Sequence, residues 1–93
     1  MLIVSQDKDN IVNFKNIVSI GMEDFDDNNS WQRITAETIG TSVVLGDYKS
    51  EERAKEILQQ IIGKYNEYAK IQNGVGSIAS VAVLPKIYEM PKE

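Results

Sequence analysis

The sequence predicts an α+β fold: an antiparallel β-meander of four to five short strands packed on one long amphipathic helix, with a C-terminal strand after it. Three observations predict this fold. Short apolar runs separated by turn residues fill residues 2–48, apolar residues recur at helical spacing over residues 50–73, and a further apolar run occupies residues 78–88. With 93 residues and no internal repeat, we expect one domain spanning residues 1–93.

Turn chemistry and alternation assign the strands of the predicted meander. "LIVSQ" and "IVNF" flank "DKDN", a turn sequence, so residues 2–14 are expected to form a hairpin. "NIVSIGME" places Val18, Ile20 and Met22 on one apolar face and is the third strand. "WQRITAETI" alternates in the same way, and "GTS" turns the chain into the strand "VVLGDY".

The helix is predicted over residues 50–73. Ser50 is a favourable N-cap, the following acids suit the helix dipole, and "NG" at residues 73–74 is a C-cap signal. Because two glutamates occupy the first turn and no glycine-rich loop precedes it, we do not expect this helix start to hold an anion. The apolar stripe consists of Ala54, Ile57, Leu58, Ile61, Ile62, Tyr65 and Ala69.

The C-terminal run behaves differently from a solvent-facing strand. Residues 81–84 are apolar in succession and therefore need cover on both faces. The strand either inserts into its own sheet or crosses to a second copy. The "NGVG" link and the modest core of a 93-residue chain favour the second arrangement, so we expect a homo-oligomer in which the C-terminal strand is exchanged or shared.

Composition excludes several classes of function. The chain has no cysteine and no histidine, which removes disulfides, thiolate and imidazole metal sites and the common nucleophile–histidine arrangements. We therefore expect a non-enzymatic protein without cofactor or metal. The net charge of −4 resides in residues 1–30, and no basic run is present, which argues against duplex nucleic acid. The first apolar run is too short for a signal peptide or a membrane span, so a cytoplasmic protein is expected.

The polar stretch "DFDDNNS" predicts a mobile acidic loop. Its acids partly match the spacing of an EF-hand loop that begins at Asp24. Position six, however, is Asn29 instead of glycine, and position twelve is Thr35 instead of glutamate. A calcium site is therefore not expected.

The pairing of "IVNFKNIVSI" with "LGDYKSEERAKEILQQI" resembles short proteins of unknown function encoded by phages and prophages of low-GC Gram-positive bacteria. The resemblance covers roughly residues 2–65. It implies a mobile-element setting in the host cell cytoplasm. Small proteins there commonly act by binding, either by blocking a host defence protein or by sequestering a nucleotide immune signal.

Two hypotheses of function follow. The first is a homo-oligomeric sponge for a small anionic, nucleotide-like ligand, which needs aromatic rings for stacking and cations for phosphate. Its candidate ligand-binding residues are Trp31, Arg33, Tyr48, Lys49, Arg53 and Tyr88. The second is a protein-blocking module that uses the acidic "EDFDDNN" loop or a sheet edge against a basic surface. A structural or assembly component of a phage particle is a further alternative. For single residues the competing interpretation is structural, for example Arg33 paired with Glu37 or Asp47.

Overall fold

The computed structural model describes residues 1–24, 31–72 and 87–93. It has an α+β architecture of two small sheets and one helix. The strands are β1 (Leu2–Val4), β2 (Ile11–Asn13), β3 (Ile17–Asp24), β4 (Gln32–Thr38), β5 (Thr41–Tyr48) and β6 (Ile87–Glu89), and the helix α1 spans Glu51–Gln72.

The larger sheet is an antiparallel meander of three strands in the order β3-β4-β5. Alternation in β4 is confirmed, because Gln32, Ile34 and Ala36 are buried while the residues between them are more exposed. A two-residue turn joins β4 to β5, and Gly40 there adopts a φ of 90°, which favours glycine.

The strands assigned to one meander are in fact divided between two sheets. β1 pairs with β2 as the predicted hairpin, but this hairpin joins β6 in a second sheet of order β2-β1-β6. The physical reason lies in a 3-10 turn at Phe14–Asn16, where the Asn13 side chain accepts a hydrogen bond from the backbone N–H of Lys15 at 3.0 Å. This turn redirects the chain, so β3 pairs with β4 and not with β2.

A β-bulge in β3 makes the buried face of this strand differ from the predicted one at its first two residues. The register with β4 shifts between Ile17 and Ser19, which turns Ile17 toward the core and leaves Val18 69% exposed. Ile20 and Met22 keep the predicted face and are half-buried against the core. Sequence alternation alone could not reveal the extra residue.

The helix packs mainly against β4 and β5. Ser50 caps it, with its hydroxyl oxygen accepting from the N–H of Arg53 at 3.1 Å. Ala54, Ile57 and Ile61 of the predicted stripe are fully buried. Further along, the ring of Tyr65 stacks on Phe14 with ring centroids 4.6 Å apart. Both sheets contribute to one core, whose buried apolar residues are Met1, Ile3, Val12, Ile34, Ala36, Leu45, Tyr48, Ala54, Ile57, Ile61, Tyr88 and Met90.

The end of the predicted C-terminal strand pairs within its own chain. β6 lies parallel to β1, with Tyr88 opposite Ile3, and the N–H of Met90 donates to the carbonyl of Val4 at 2.9 Å. Residues 78–86 of that strand, and the acidic loop at residues 25–30, lie outside the described residues, so strand exchange and the homo-oligomer stay predictions. No helix in the described part of the chain is long and apolar enough to cross a membrane.

Candidate functional site

The outward-facing side of the β3-β4-β5 sheet carries a shallow depression of about 400 Å³, which we call the outer trough. Thr35 lies at its centre because it pairs with Gly21 on one side and Val44 on the other. Gly21 has no side chain, and a Cβ placed there would meet nothing within 4 Å. The trough is lined by Ser19, Ile20, Gly21, Met22, Glu23, Arg33, Thr35, Glu37, Ser42 and Val44.

The charges around the outer trough are mainly negative. Glu23 lies opposite Arg33, Glu37 lies opposite Ser42, and neither glutamate forms a salt bridge with a described residue. The hydroxyl oxygen of Thr35 is buried and has no hydrogen-bond partner among the described residues. The trough therefore offers two carboxylates to a cationic side chain of a partner.

A second concave surface, which we call the apolar groove, has a volume of about 530 Å³. Ile11, Val18 and Ile39 on its walls are 66%, 69% and 92% exposed. Among the described residues that line it, Lys15 is the one with a charge. The lining residues are Ile11, Val12, Lys15, Asn16, Ile17, Val18, Thr38, Ile39 and Val43.

The first two predicted ligand-binding residues lie at the start of β4. Arg33 pairs with Asp47 on β5 through two contacts, Nε to Oδ1 at 2.8 Å and Nη2 to Oδ2 at 3.3 Å. This hydrogen-bonded pairing raises the pKa of Arg33 and matches the structural interpretation, in which the guanidinium is held by a carboxylate of the sheet surface. Trp31 precedes β4 and is half-buried.

The two tyrosines among the predicted ligand-binding residues, Tyr48 and Tyr88, are buried. The hydroxyl of Tyr48 donates to the carbonyl of Pro91 at 2.7 Å, and that of Tyr88 donates to Oε1 of Gln60 at 2.8 Å. Burial is the main cause that raises the pKa of Tyr48 above its ordinary value of 10.0; Tyr88 adds to this shift, and the nearby Arg53 opposes it. Burial likewise raises the pKa of Tyr88. These rings serve the core and are covered on the faces that a base would need.

Arg53 ties the helix to the end of the chain. Its Nε donates to the carbonyl of Glu93 at 2.9 Å, and its Nη1 lies 2.7 Å from Oε1 of Glu56. Lys49 is exposed between β5 and the helix. The fold thus brings Tyr48, Arg53 and Tyr88 together, but neither the outer trough nor the apolar groove is lined by them.

The residues that line the two concave surfaces were largely absent from the sequence-based candidates. Alternation in "WQRITAETI" does place Thr35 and Glu37 on one face of a strand. It carries no signal that Gly21 lies opposite Thr35 or that Glu23 borders the same depression. That neighbourhood depends on the register between β3 and β4.

The described side chains contain no group of three carboxylates that could bind a metal ion. The side chains of the outer trough offer hydrogen bonding and charge attraction toward a cationic donor. No protein-family model, no curated protein and no solved structure matches this chain.

Proposed function

We propose that the chain is a non-enzymatic interaction module that blocks a basic surface of a partner protein, with the outer trough as its contact site. The observation that carries the proposal is the depression over Gly21, bordered by Glu23 and Glu37, neither of which forms a salt bridge with a described residue. Lysine or arginine side chains of the partner would donate to these two carboxylates.

Charge complementarity supports a basic protein partner. The protein carries a net charge of −4. Among the described residues, the trough has one guanidinium, that of Arg33, which Asp47 binds and Glu23 also attracts. Surface carboxylates arranged in this way accelerate association with a positive surface and disfavour negative partners. A protein with a basic patch fits the site better than a phosphate-bearing ligand does.

The nucleotide-sponge hypothesis stays a prediction. Arg33, Tyr48, Arg53 and Tyr88 use side-chain donors within the chain, so a nucleotide would have to displace those bonds. The two tyrosine rings would also have to leave the core to stack on a base. A homo-oligomeric arrangement, a phage setting and a structural role in a phage particle likewise stay predictions.

An NMR titration with a defined basic probe tests the trough. Adding a hexalysine peptide to ¹⁵N-labelled protein should shift the backbone amides of Gly21, Thr35 and Glu37, and added salt should weaken the effect. The double variant Glu23→Gln/Glu37→Gln should lower the affinity roughly tenfold, which corresponds to about 1.4 kcal/mol.

The matched control removes the same charge elsewhere. Glu51→Gln/Glu52→Gln alters two exposed acids in the first turn of the helix and should leave binding at the trough unchanged. Equal losses in the two double variants would mean that the probe senses only net charge. That result, or shifts centred on the helix, would refute the proposal.

A further inference from the structure

We infer that a second copy of this chain covers the outer edge of β3, so that two β3 strands pair antiparallel across a twofold axis and form a six-stranded sheet. The contact would be formed by the outer backbone edge of β3 and by the apolar groove at its N-terminal end. It adjoins the outer trough, because Ile20 and Met22 of β3 also line that depression.

The two edges of the β3-β4-β5 sheet differ in their hydrogen bonding to other parts of the chain. At β5, the N–H of Gln6 donates to the carbonyl of Leu45 at 2.7 Å, and the Gln6 side chain both donates to and accepts from the backbone of Asp47. At β3, no described strand pairs with the outer edge. Residues Ile17 to Met22 there contain no charge and no proline, which are two of the features that commonly protect an edge from pairing.

Apolar side chains around this edge remain partly uncovered within the described structure. The helix packs mainly on β4 and β5, and Ile20 and Met22 of β3 are only half-buried. Val18 and Ile39 are exposed and line the apolar groove. A second β3 strand would bring its own Ile20 and Met22 against these side chains and remove them from water.

The distribution of charge along β3 favours a copy of the same strand and sets its direction. Lys15 lies just before the strand and lines the groove, while Glu23 and Asp24 end the strand. In antiparallel pairing centred on Ile20, Asp24 of each strand approaches Lys15 of the other copy, and this contact occurs twice. Parallel pairing would instead place like charges side by side.

The bulge fits this arrangement. Pairing centred on Ile20 puts Met22 of one copy opposite the Ile17–Val18 bulge of the other, where the one extra residue is the exposed Val18. The twofold axis then runs perpendicular to the sheet, so both outer troughs lie on one surface. A dimer would present two sites to a partner protein and gain avidity.

Sedimentation velocity at micromolar concentration tests the dimer. The wild-type protein should sediment as a dimer, and Val18→Asp should weaken the dimer at least a hundredfold because it adds a carboxylate beside the acidic strand end. The matched control is Ile87→Asp, which changes an aliphatic residue, 60% exposed, on the edge strand β6 of the other sheet. This control should remain a dimer. Thermal unfolding of each variant checks that it is folded.

Exchanging the two charges at Lys15 and Asp24 tests the register without placing a new charge on an apolar residue. Lys15→Glu and Asp24→Lys should each weaken the dimer about tenfold, and the double variant should restore wild-type affinity. Lys55→Glu, a reversal of an exposed lysine on the helix, should have no effect.

Four results would overturn the inference: a wild-type monomer at about 100 μM, a dimer that survives Val18→Asp, a dimer lost on Ile87→Asp, or no recovery in the exchanged double variant. A monomer that still binds hexalysine at the outer trough would refute the dimer alone. A dimer that ignores the probe would refute the trough alone.

Discussion

Replacing Gly46 by alanine tests whether Tyr48 is a fixed core residue or a ring that can move to meet a ligand. A Cβ placed on Gly46 would lie 2.7 Å from the hydroxyl oxygen and 2.8 Å from Cε2 of Tyr48, whereas ordinary contacts begin at 3.4 Å. The ring must therefore move by roughly 0.6 Å. Tyr48 is 1% exposed and its hydroxyl is bonded to the Pro91 carbonyl, so the surroundings resist that movement.

The expected cost follows from these contacts. Overpacking of this kind costs about 1–3 kcal/mol, and weakening the hydroxyl contact adds about 1 kcal/mol. The reduced entropy of the unfolded chain offsets about 0.4–1 kcal/mol. We expect a net loss of about 2 kcal/mol, which is a fall in Tm of about 8–16 °C for a domain of this size.

The assay is urea unfolding and thermal unfolding followed by circular dichroism. Gly21→Ala is the matched control, because a Cβ at Gly21 meets nothing within 4 Å and its backbone does not require glycine. The control should be neutral or stabilised by up to about 1 kcal/mol. A Gly46→Ala protein within about 0.5 kcal/mol of wild type would contradict this reasoning and would return Tyr48 to the ligand-binding candidates.

Three further predictions concern the helix cap and two titrations. Ser50→Ala should lower the free energy of unfolding by about 1 kcal/mol in urea, because it removes the acceptor for the Arg53 N–H. Ser50→Asp should keep most of the wild-type stability, since a carboxylate can accept the same hydrogen bond. Equal stability of all three proteins would exclude a capping role. Hydrogen bonds from the Ser5 hydroxyl and the Asp9 N–H lower the pKa of Asp7 below its ordinary value of 3.8. The ionised Asp7 therefore stabilises the folded protein above pH 3.8, and this contribution is lost as the pH falls through the lowered pKa. Asp7→Asn should therefore flatten the decline of unfolding free energy between about pH 4 and pH 2, and parallel curves would contradict the assignment. Burial raises the pKa of Tyr48 and of Tyr88 above 10.0, so these tyrosines ionise first in the unfolded chain, and the free energy of unfolding falls as the pH rises above about 10. Tyr48→Phe and Tyr88→Phe should each reduce that fall. Tyrosinate absorbance below about pH 10 from these two rings would contradict the raised pKa values.

Local patterns in the sequence were sufficient for several elements. The turn residues of "DKDN" predicted the β1–β2 hairpin, alternation predicted the buried face of β4, and Ser50 predicted the helix start. Each signal is carried by residues a few positions apart, which constrain one another through backbone geometry and periodicity. The structural pairing of Arg33 with Asp47 was also among the alternatives that the sequence offered.

The candidate site was less accessible from sequence. Trp31, Tyr48, Arg53 and Tyr88 have the chemistry of a nucleotide site, but residue type does not reveal that the rings of both tyrosines face the core. The outer trough depends instead on Gly21 lying opposite Thr35, an alignment of strands that are separated by an acidic loop. Its depth comes from a missing side chain, which has no periodic signature.

The sequence by itself determined an α+β chain with a β-rich N-terminal part, one capped helix and an acidic balance of charge, because these properties are local or additive. Tertiary structure decided that the β1–β2 hairpin is joined by β6, which pairs with β1, and not by β3. It also decided that a bulge exposes Val18, and that the outer trough and the apolar groove exist. These features depend on which strands meet and in what register. That choice is made by packing between residues far apart in the chain, where a shift of one residue reverses every side chain on a strand.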